Sequence, residues 1–479
     1  MNGRSRNTRR ITLRQSAAEA PALEALERRT FLSGNVLATQ SGNQLNLNGD
    51  ELGNQIMIRS GNTPTEIIVQ SMDQTTVNGS RQPVVFEGVT SLFATMRGGD
   101  DWFKATDLKV NPDGGNGFTV DGGWGDDRIE FKNTAVEGGP GNGITVYGDL
   151  NLAFLEPNND PNTGNDTITF TDTTFVSDDP GNAGGAIQIF GEFTTGGEIT
   201  GGNDTISITN TLVGGSGETD FAGGDIAIYG EYLFGIDVDV SVGGGNDAIS
   251  VTNTTVSGVA QAGGFGILEV FGDYSYVADL GATAPVVRSV VGGGNDSVVV
   301  DNFDATGAGP RGGGARLRVT GDVTENQSSN PLSGAEVAGG NDSVTLSNVL
   351  VAGETPSGFS NSRIEVFGES QPVYPQPTPG FSRVGQGNDR VTLRNVNASA
   401  DFSTVTIDTS LGDDTLDVLN SSFGEFNATL GTGNDYAKLN NDDIFGSAHV
   451  DGGPGYDVLS AHNNDGLLTF SNFERVNVT

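Results

Sequence analysis

Eleven aspartates in this 479-residue chain each have a glycine two positions before them and an apolar pair two and four positions after. They are Asp101, Asp127, Asp166, Asp204, Asp247, Asp296, Asp342, Asp389, Asp414, Asp435 and Asp457. Apolar pairs such as Ile129/Phe131, Ile206/Ile208, Val298/Val300 and Val344/Leu346 have the period-two pattern of a strand with one buried face. Six residues after each aspartate stands an asparagine (Asn133, Asn210, Asn253, Asn302, Asn348, Asn395, Asn420, Asn441, Asn463) or an aspartate (Asp107, Asp172). One such repeat cannot bury its apolar stripe alone, so the repeats must stack into a common core.

The aspartates are 26, 39, 38, 43, 49, 46, 47, 25, 21 and 22 residues apart. The short spacings suit one coil of an all-β parallel solenoid, and the long ones the same coil carrying an insertion. A second strand locates the insertion, because it ends in Gly-Asp or Gly-Glu at 148–149, 191–192, 230–231, 272–273, 321–322 and 368–369. In uninserted coils Phe118-Thr119-Val120 and Val405-Thr406-Ile407 occupy this place directly before the turn. Six consecutive coils therefore project a loop from one corner, over about 149–163, 192–201, 231–243, 273–292, 322–338 and 369–385. The expected architecture is a β-helix of eleven to twelve coils, which at ~4.8 Å per coil makes a rod on the order of 50 Å. The expected organisation is a basic segment over 1–34, capping strands and a degenerate first coil over 35–96, β-helix repeats over 97–463 and a closing strand over 464–479.

Composition removes several functions. With 61 acidic and 24 basic residues the net charge is −37, which disfavours nucleic acid as a partner. There is no cysteine, so disulfides and thiolate metal sites are excluded, and two histidines make histidine catalysis improbable. No apolar run approaches the ~18 residues of a membrane span. Nucleophile, phosphate-loop and zinc motifs are absent, and no catalytic residue is assigned. A pair of carboxylates suffices for a glycosidase, but a chain this acidic always offers one.

The first 34 residues contrast with the rest, holding seven arginines against three acids. Ser16–Ala20 and Leu23–Glu27 favour a short helix, the alternative being a disordered basic tail. The run Leu26-Glu27-Arg28-Arg29-Thr30-Phe31-Leu32-Ser33-Gly34 resembles the LEPR-XLL segment near the N-terminus of large planctomycete surface and secreted proteins. Arg28 stands where that family has proline, and Phe31 replaces a leucine. The resemblance implies export or surface sorting.

Gly122-Gly123-Trp124-Gly125-Asp126-Asp127-Arg128-Ile129 and Gly452-Gly453-Pro454-Gly455-Tyr456-Asp457-Val458-Leu459 resemble the calcium-binding repeat of RTX (haemolysin-type) proteins. The shorter G-x-G-x-D form recurs at Asp247, Asp296, Asp389 and Asp435. RTX units run in tandem every nine residues, whereas these recur once per coil, so the resemblance carries over one corner only. It implies calcium at the eleven aspartates, and stacked carboxylates with turn carbonyls suit that ion. Hydrogen bonds from corner amides are the alternative use of the column. The asparagine column has the parity of the buried pair and should point inward as a ladder, like those of right-handed parallel β-helices, which the chain resembles. Tyr147, Phe190, Tyr229, Phe271 and Phe367 form an outward aromatic column, interrupted by Thr320, that either offers a glycan platform or lies roofed by the insertions. The insertions hold about fourteen acids against Arg288 and Arg383. These features lead to a secreted or cell-surface, non-enzymatic solenoid, calcium-stabilised, for adhesion or for extracellular-matrix or surface-layer structure. Its partners would be glycans or surface proteins met through the insertions. The alternative is a carbohydrate-active β-helix enzyme, a polysaccharide lyase or hydrolase, or a glycan-binding module.

Overall fold

The computed structural model describes residues 34–63, 65–110, 117–137, 143–151, 163–177, 185–195, 197–217, 222–236, 240–260, 264–278, 288–291, 293–308, 313–326, 334–337, 339–354, 362–370, 381–384, 386–399 and 403–479. They fall in the second of two compact units, Ser33–Thr479. The helix expected at 16–27 and the LEPR-XLL-like run up to Ser33 lie outside the described residues, as do stretches of the insertions such as 152–162 and 371–380.

Every regular element among the described residues is a strand. Most of them form one large mixed sheet of 36 strands. Within a repeat three legs follow the turn. After Asp127 they are Arg128–Lys132, Ala135–Glu137 and Gly143–Asn151. Each leg pairs in parallel with its counterpart one repeat later, as in Ile129↔Ile168, Ala135↔Thr174 and Val146↔Ile189. That register puts apolar on apolar from repeat to repeat, as in Ile206↔Ile249, Val298↔Val344 and Leu416↔Ala437. A one-residue slip would turn every one of these side chains outward. The apolar pairs are at most 2% exposed and join one core cluster. Each aliphatic member contributes about 1.5–3 kcal/mol by leaving water.

The ends differ from the middle. Near the N-terminal end Gln44–Asn48 and Gln55–Ser60 pair in parallel with Ser91–Thr95 and Trp102–Thr106. Antiparallel partners Asn35–Ser41 and Ile67–Ser71 flank them and make the sheet mixed. The closing segment forms Asp465–Ser471 and Arg475–Val478, each parallel to a strand of the last repeats.

Two expectations change. The asparagine column is exposed, not inward. Its nine asparagines, with Asp107 and Asp172, have φ between 47° and 55°. A left-handed residue breaks strand alternation, so parity counted across it fails, and Asn tolerates that conformation better than most residues. The next residue takes the inward place, as Thr134, Thr173, Thr211 and Thr254 do at 1–2% exposure. The ladder itself exists on the outside: Asn302 Nδ2 donates to Asn253 Oδ1 at 2.7 Å and Asn395 Nδ2 to Asn348 Oδ1 at 2.9 Å.

Most of the described residues of the insertions lie in strands, where loops were expected. Ala222–Ile236 and Gly264–Ala278 run through the Gly-Glu and Gly-Asp pairs without a break. The returning legs Gly197–Thr200, Val240–Gly243, Arg288–Val291, Gly334–Val337 and Phe381–Val384 form a second, five-stranded parallel sheet. Once an insertion leaves from the same corner in successive repeats, its backbone groups find partners in the neighbouring insertion.

Candidate metal centre

The eleven aspartates stand in one continuous file. Each accepts, through Oδ1, the backbone N–H of the aspartate one repeat earlier. Asp101 N–H donates to Asp127 at 2.7 Å, Asp204 N–H to Asp247 at 2.8 Å, Asp296 N–H to Asp342 at 2.9 Å and Asp435 N–H to Asp457 at 2.9 Å. Asp166, Asp389 and Asp414 take their places in the same chain of bonds. Asp101 itself accepts from Asn54 N–H, and Asp457 N–H donates to Glu474 at 2.6 Å. One oxygen of each carboxylate thus closes a corner amide. The other, Oδ2, is buried without a hydrogen-bond partner in Asp127, Asp166, Asp204, Asp247, Asp296 and Asp342 among others.

The glycine two before each aspartate has a steric reason more than a conformational one. Positive φ occurs in this column at Gly99, Gly125 and Gly412. At Gly202, Gly245, Gly294 and Gly340 a Cβ would lie only 1.3–1.8 Å from the carbonyl oxygen of the equivalent glycine one repeat earlier. The corners stack too closely for any side chain.

A second acidic file faces the first, formed by the acids that follow glycine in the third leg. Asp149, Glu192, Glu231, Asp273 and Asp322 are at most 1% exposed. Each accepts an N–H from the turn glycine that opens the following repeat. Gly164 donates to Asp149 at 2.9 Å, Gly245 to Glu231 at 2.6 Å, Gly294 to Asp273 and Gly340 to Asp322 both at 3.0 Å, and Gly202 to Glu192. Their second oxygens are again buried and without hydrogen-bond partners. The glycine before each acid leaves room for the opposing file. A Cβ on Gly148, Gly191, Gly230, Gly272 or Gly321 would sit 1.9 Å from Oδ2 of Asp166, Asp204, Asp247, Asp296 or Asp342.

Burial and mutual repulsion push these carboxyls up. Desolvation raises Glu192, Glu231, Asp247, Asp296, Asp322 and Asp342 well above the carboxylate range, and neighbouring acids add to it. At the N-terminal end desolvation takes Asp101 to about 8 and, with the charge of Asp101, Asp127 to about 10. Asp414 and Asp435 rise to about 7, again through desolvation. Such a file must hold protons or a cation, because two like charges about 5 Å apart cost several kcal/mol at an effective dielectric near 20. Oxygen-only donors favour hard cations of the calcium and magnesium kind.

The third-leg acids belong to the Gly-Asp/Glu pairs that in the sequence mark only the edge of each insertion. Only the stacking sets these acids, 12 to 23 positions before the next turn aspartate, against the first file. A third ladder runs along the outside of the turns. The exposed middle residues of the turns bond to one another, Asn203 N–H and Nδ2 both reaching Asn165 Oδ1 at 2.9 and 3.0 Å. Outside the acids, the aromatic column packs against itself. Tyr147, Phe190, Tyr229 and Phe271 stack face to face at 5.0–5.1 Å, and Phe193, Tyr232 and Tyr274 form a second stack set edge-on to them. Between Tyr147 and Phe271 each ring of the column thus faces another ring. No known protein family matches the chain, and no curated protein or solved structure shows significant similarity to it.

Proposed function

We propose that this chain is a secreted or cell-surface right-handed parallel β-helix, non-enzymatic and stabilised by calcium, that serves in adhesion or in extracellular-matrix or surface-layer structure. The observation that carries the reading is the file of buried, repeat-linked carboxylates along one corner. The parallel pairing of each leg with its counterpart in the next repeat supports the β-helix, since it requires the chain to wind in one sense around one core. A divalent ion between facing acids offsets charge that burial otherwise penalises, and extracellular calcium is available for that role. The LEPR-XLL-like run at 26–34 supports export, and the RTX-like corners at Asp127 and Asp457 support calcium. Insertions from one corner of successive repeats supply the surface for glycans or surface proteins.

The test is a thermal melt of the full chain with and without chelator, joined to a polysaccharide-cleavage assay. Chelation should lower the melting temperature, millimolar calcium should restore it, and no polysaccharide should be turned over. Melting indifferent to calcium overturns the stabilising role, and reproducible cleavage overturns the non-enzymatic one.

A further inference from the structure

We propose that two divalent cations of calcium's size bind inside the inserted repeats, one held by Glu231, Asp247 and Asp273 and the other by Asp273, Asp296 and Asp322. Resting on the calcium reading above, this moves the ligands from a single file of turn aspartates to the seam between two files. In each triad every residue offers one carboxylate oxygen, and the three oxygens lie within 4.8 Å of one another. Three oxygens at that limit lie about 2.8 Å from their common centre, nearer to calcium's bonds of roughly 2.3–2.6 Å than to magnesium's of roughly 2.0–2.1 Å.

Acidic grouping alone would not make a site. The independent observation is the division of labour between the oxygens of each carboxylate. One oxygen is taken by a backbone amide: Gly245 N–H for Glu231, Asp204 N–H for Asp247, Gly294 N–H for Asp273, Asp247 N–H for Asp296 and Gly340 N–H for Asp322, at 2.6–3.0 Å. The other oxygens, Glu231 Oε2, Asp247 Oδ2, Asp273 Oδ1, Asp296 Oδ2 and Asp322 Oδ1, are buried and have no hydrogen-bond partner. All five side chains are at most 2% exposed, so water does not satisfy them from outside. The amides also fix how each carboxylate is turned, which preorganises the open oxygens toward the seam.

The two triads share Asp273, so each ion ties one repeat to the next through side chains as well as through the backbone ladder. The same geometry explains why uninserted repeats are poorer sites. There the register Phe367↔Asp408 sets the uncharged Ser410 in the place of the second acid.

Calcium binding is measured by calorimetry and by metal analysis on the chelator-treated full chain, for the wild type and for Asp273→Asn, Glu231→Gln, Asp322→Asn and Asp435→Asn. The amide replacements keep an oxygen for the backbone N–H, so the corners remain closed. Asp273→Asn should lose two bound ions per chain, or weaken both at least tenfold. Glu231→Gln and Asp322→Asn should each weaken one, and Asp435→Asn should leave both intact. Calcium bound by the wild type and equally by Asp273→Asn overturns this assignment while leaving a calcium-stabilised protein. Loss of calcium with Asp435→Asn as complete as with Asp273→Asn also overturns it, returning the ligands to the turn file. Absence of calcium binding in the wild type overturns this inference together with the reading it rests on.

Discussion

Replacing Gly245 by alanine tests whether the corners really stack as closely as the two files require. A Cβ at this position would lie 1.5 Å from the Gly202 carbonyl oxygen, whereas ordinary contact begins at 3.4 Å, so the corners must separate by about 1.9 Å. The obstacle is backbone on backbone, and no rotamer relieves it. Separation strains three bonds across this corner: Gly245 N–H to Glu231 at 2.6 Å, Asn246 N–H to Asn203 at 2.9 Å and Asp204 N–H to Asp247 at 2.8 Å. Two of these are buried. At about 1–3 kcal/mol for each buried group left unsatisfied, Gly245→Ala should cost about 2–6 kcal/mol. Gly143→Ala is the control, since its Cβ would meet nothing closer than the Ala186 carbonyl at 3.4 Å; it should change stability by less than about 1 kcal/mol. Melts followed by far-UV circular dichroism compare the two, and native-state hydrogen exchange reports opening at amides 245–248. Similar melting of both variants, with those amides still protected, would refute the stacked-corner argument and the facing of the two files with it.

Two further outcomes follow from the same geometry. In chelator, stability should fall as pH rises: Asp101 at about 8 and Asp121, Asp414 and Asp442 at about 7 have folded values raised by burial. Their stabilisation is complete below an unfolded value near 4 and is lost through pH 7–8, because the folded state binds more protons. A melting temperature that climbs between pH 5 and 8 in chelator would contradict this sign. Asn302, at φ 50° with its Nδ2 on Asn253 at 2.7 Å, should cost about 1–2 kcal/mol when changed to alanine. Glycine should recover the conformational part of that loss, and equal destabilisation by the two substitutions in thermal melts would assign the residue's value to the ladder bond alone.

By itself the sequence determined the repeat, its turn and the inward strand positions, because these are local facts. An aspartate two after a glycine and an apolar pair at period two, as at Gly125, Asp127, Ile129 and Phe131, specify a corner and a half-buried strand before any partner is known. What happens across a left-handed residue was not legible, since one positive φ reverses the facing of everything after it, and so the asparagine column turned out while Thr134, Thr173 and Thr211 turned in. The insertions read as loops because their pairing partners are other insertions about 40 residues away. Above all, the facing of Asp273 toward Asp247 and Asp296 belongs to the stacking register. Residues 23 to 26 apart become neighbours only when parallel pairing sets one repeat upon the next, and that long-range geometry decides which buried oxygens are left open to share an ion.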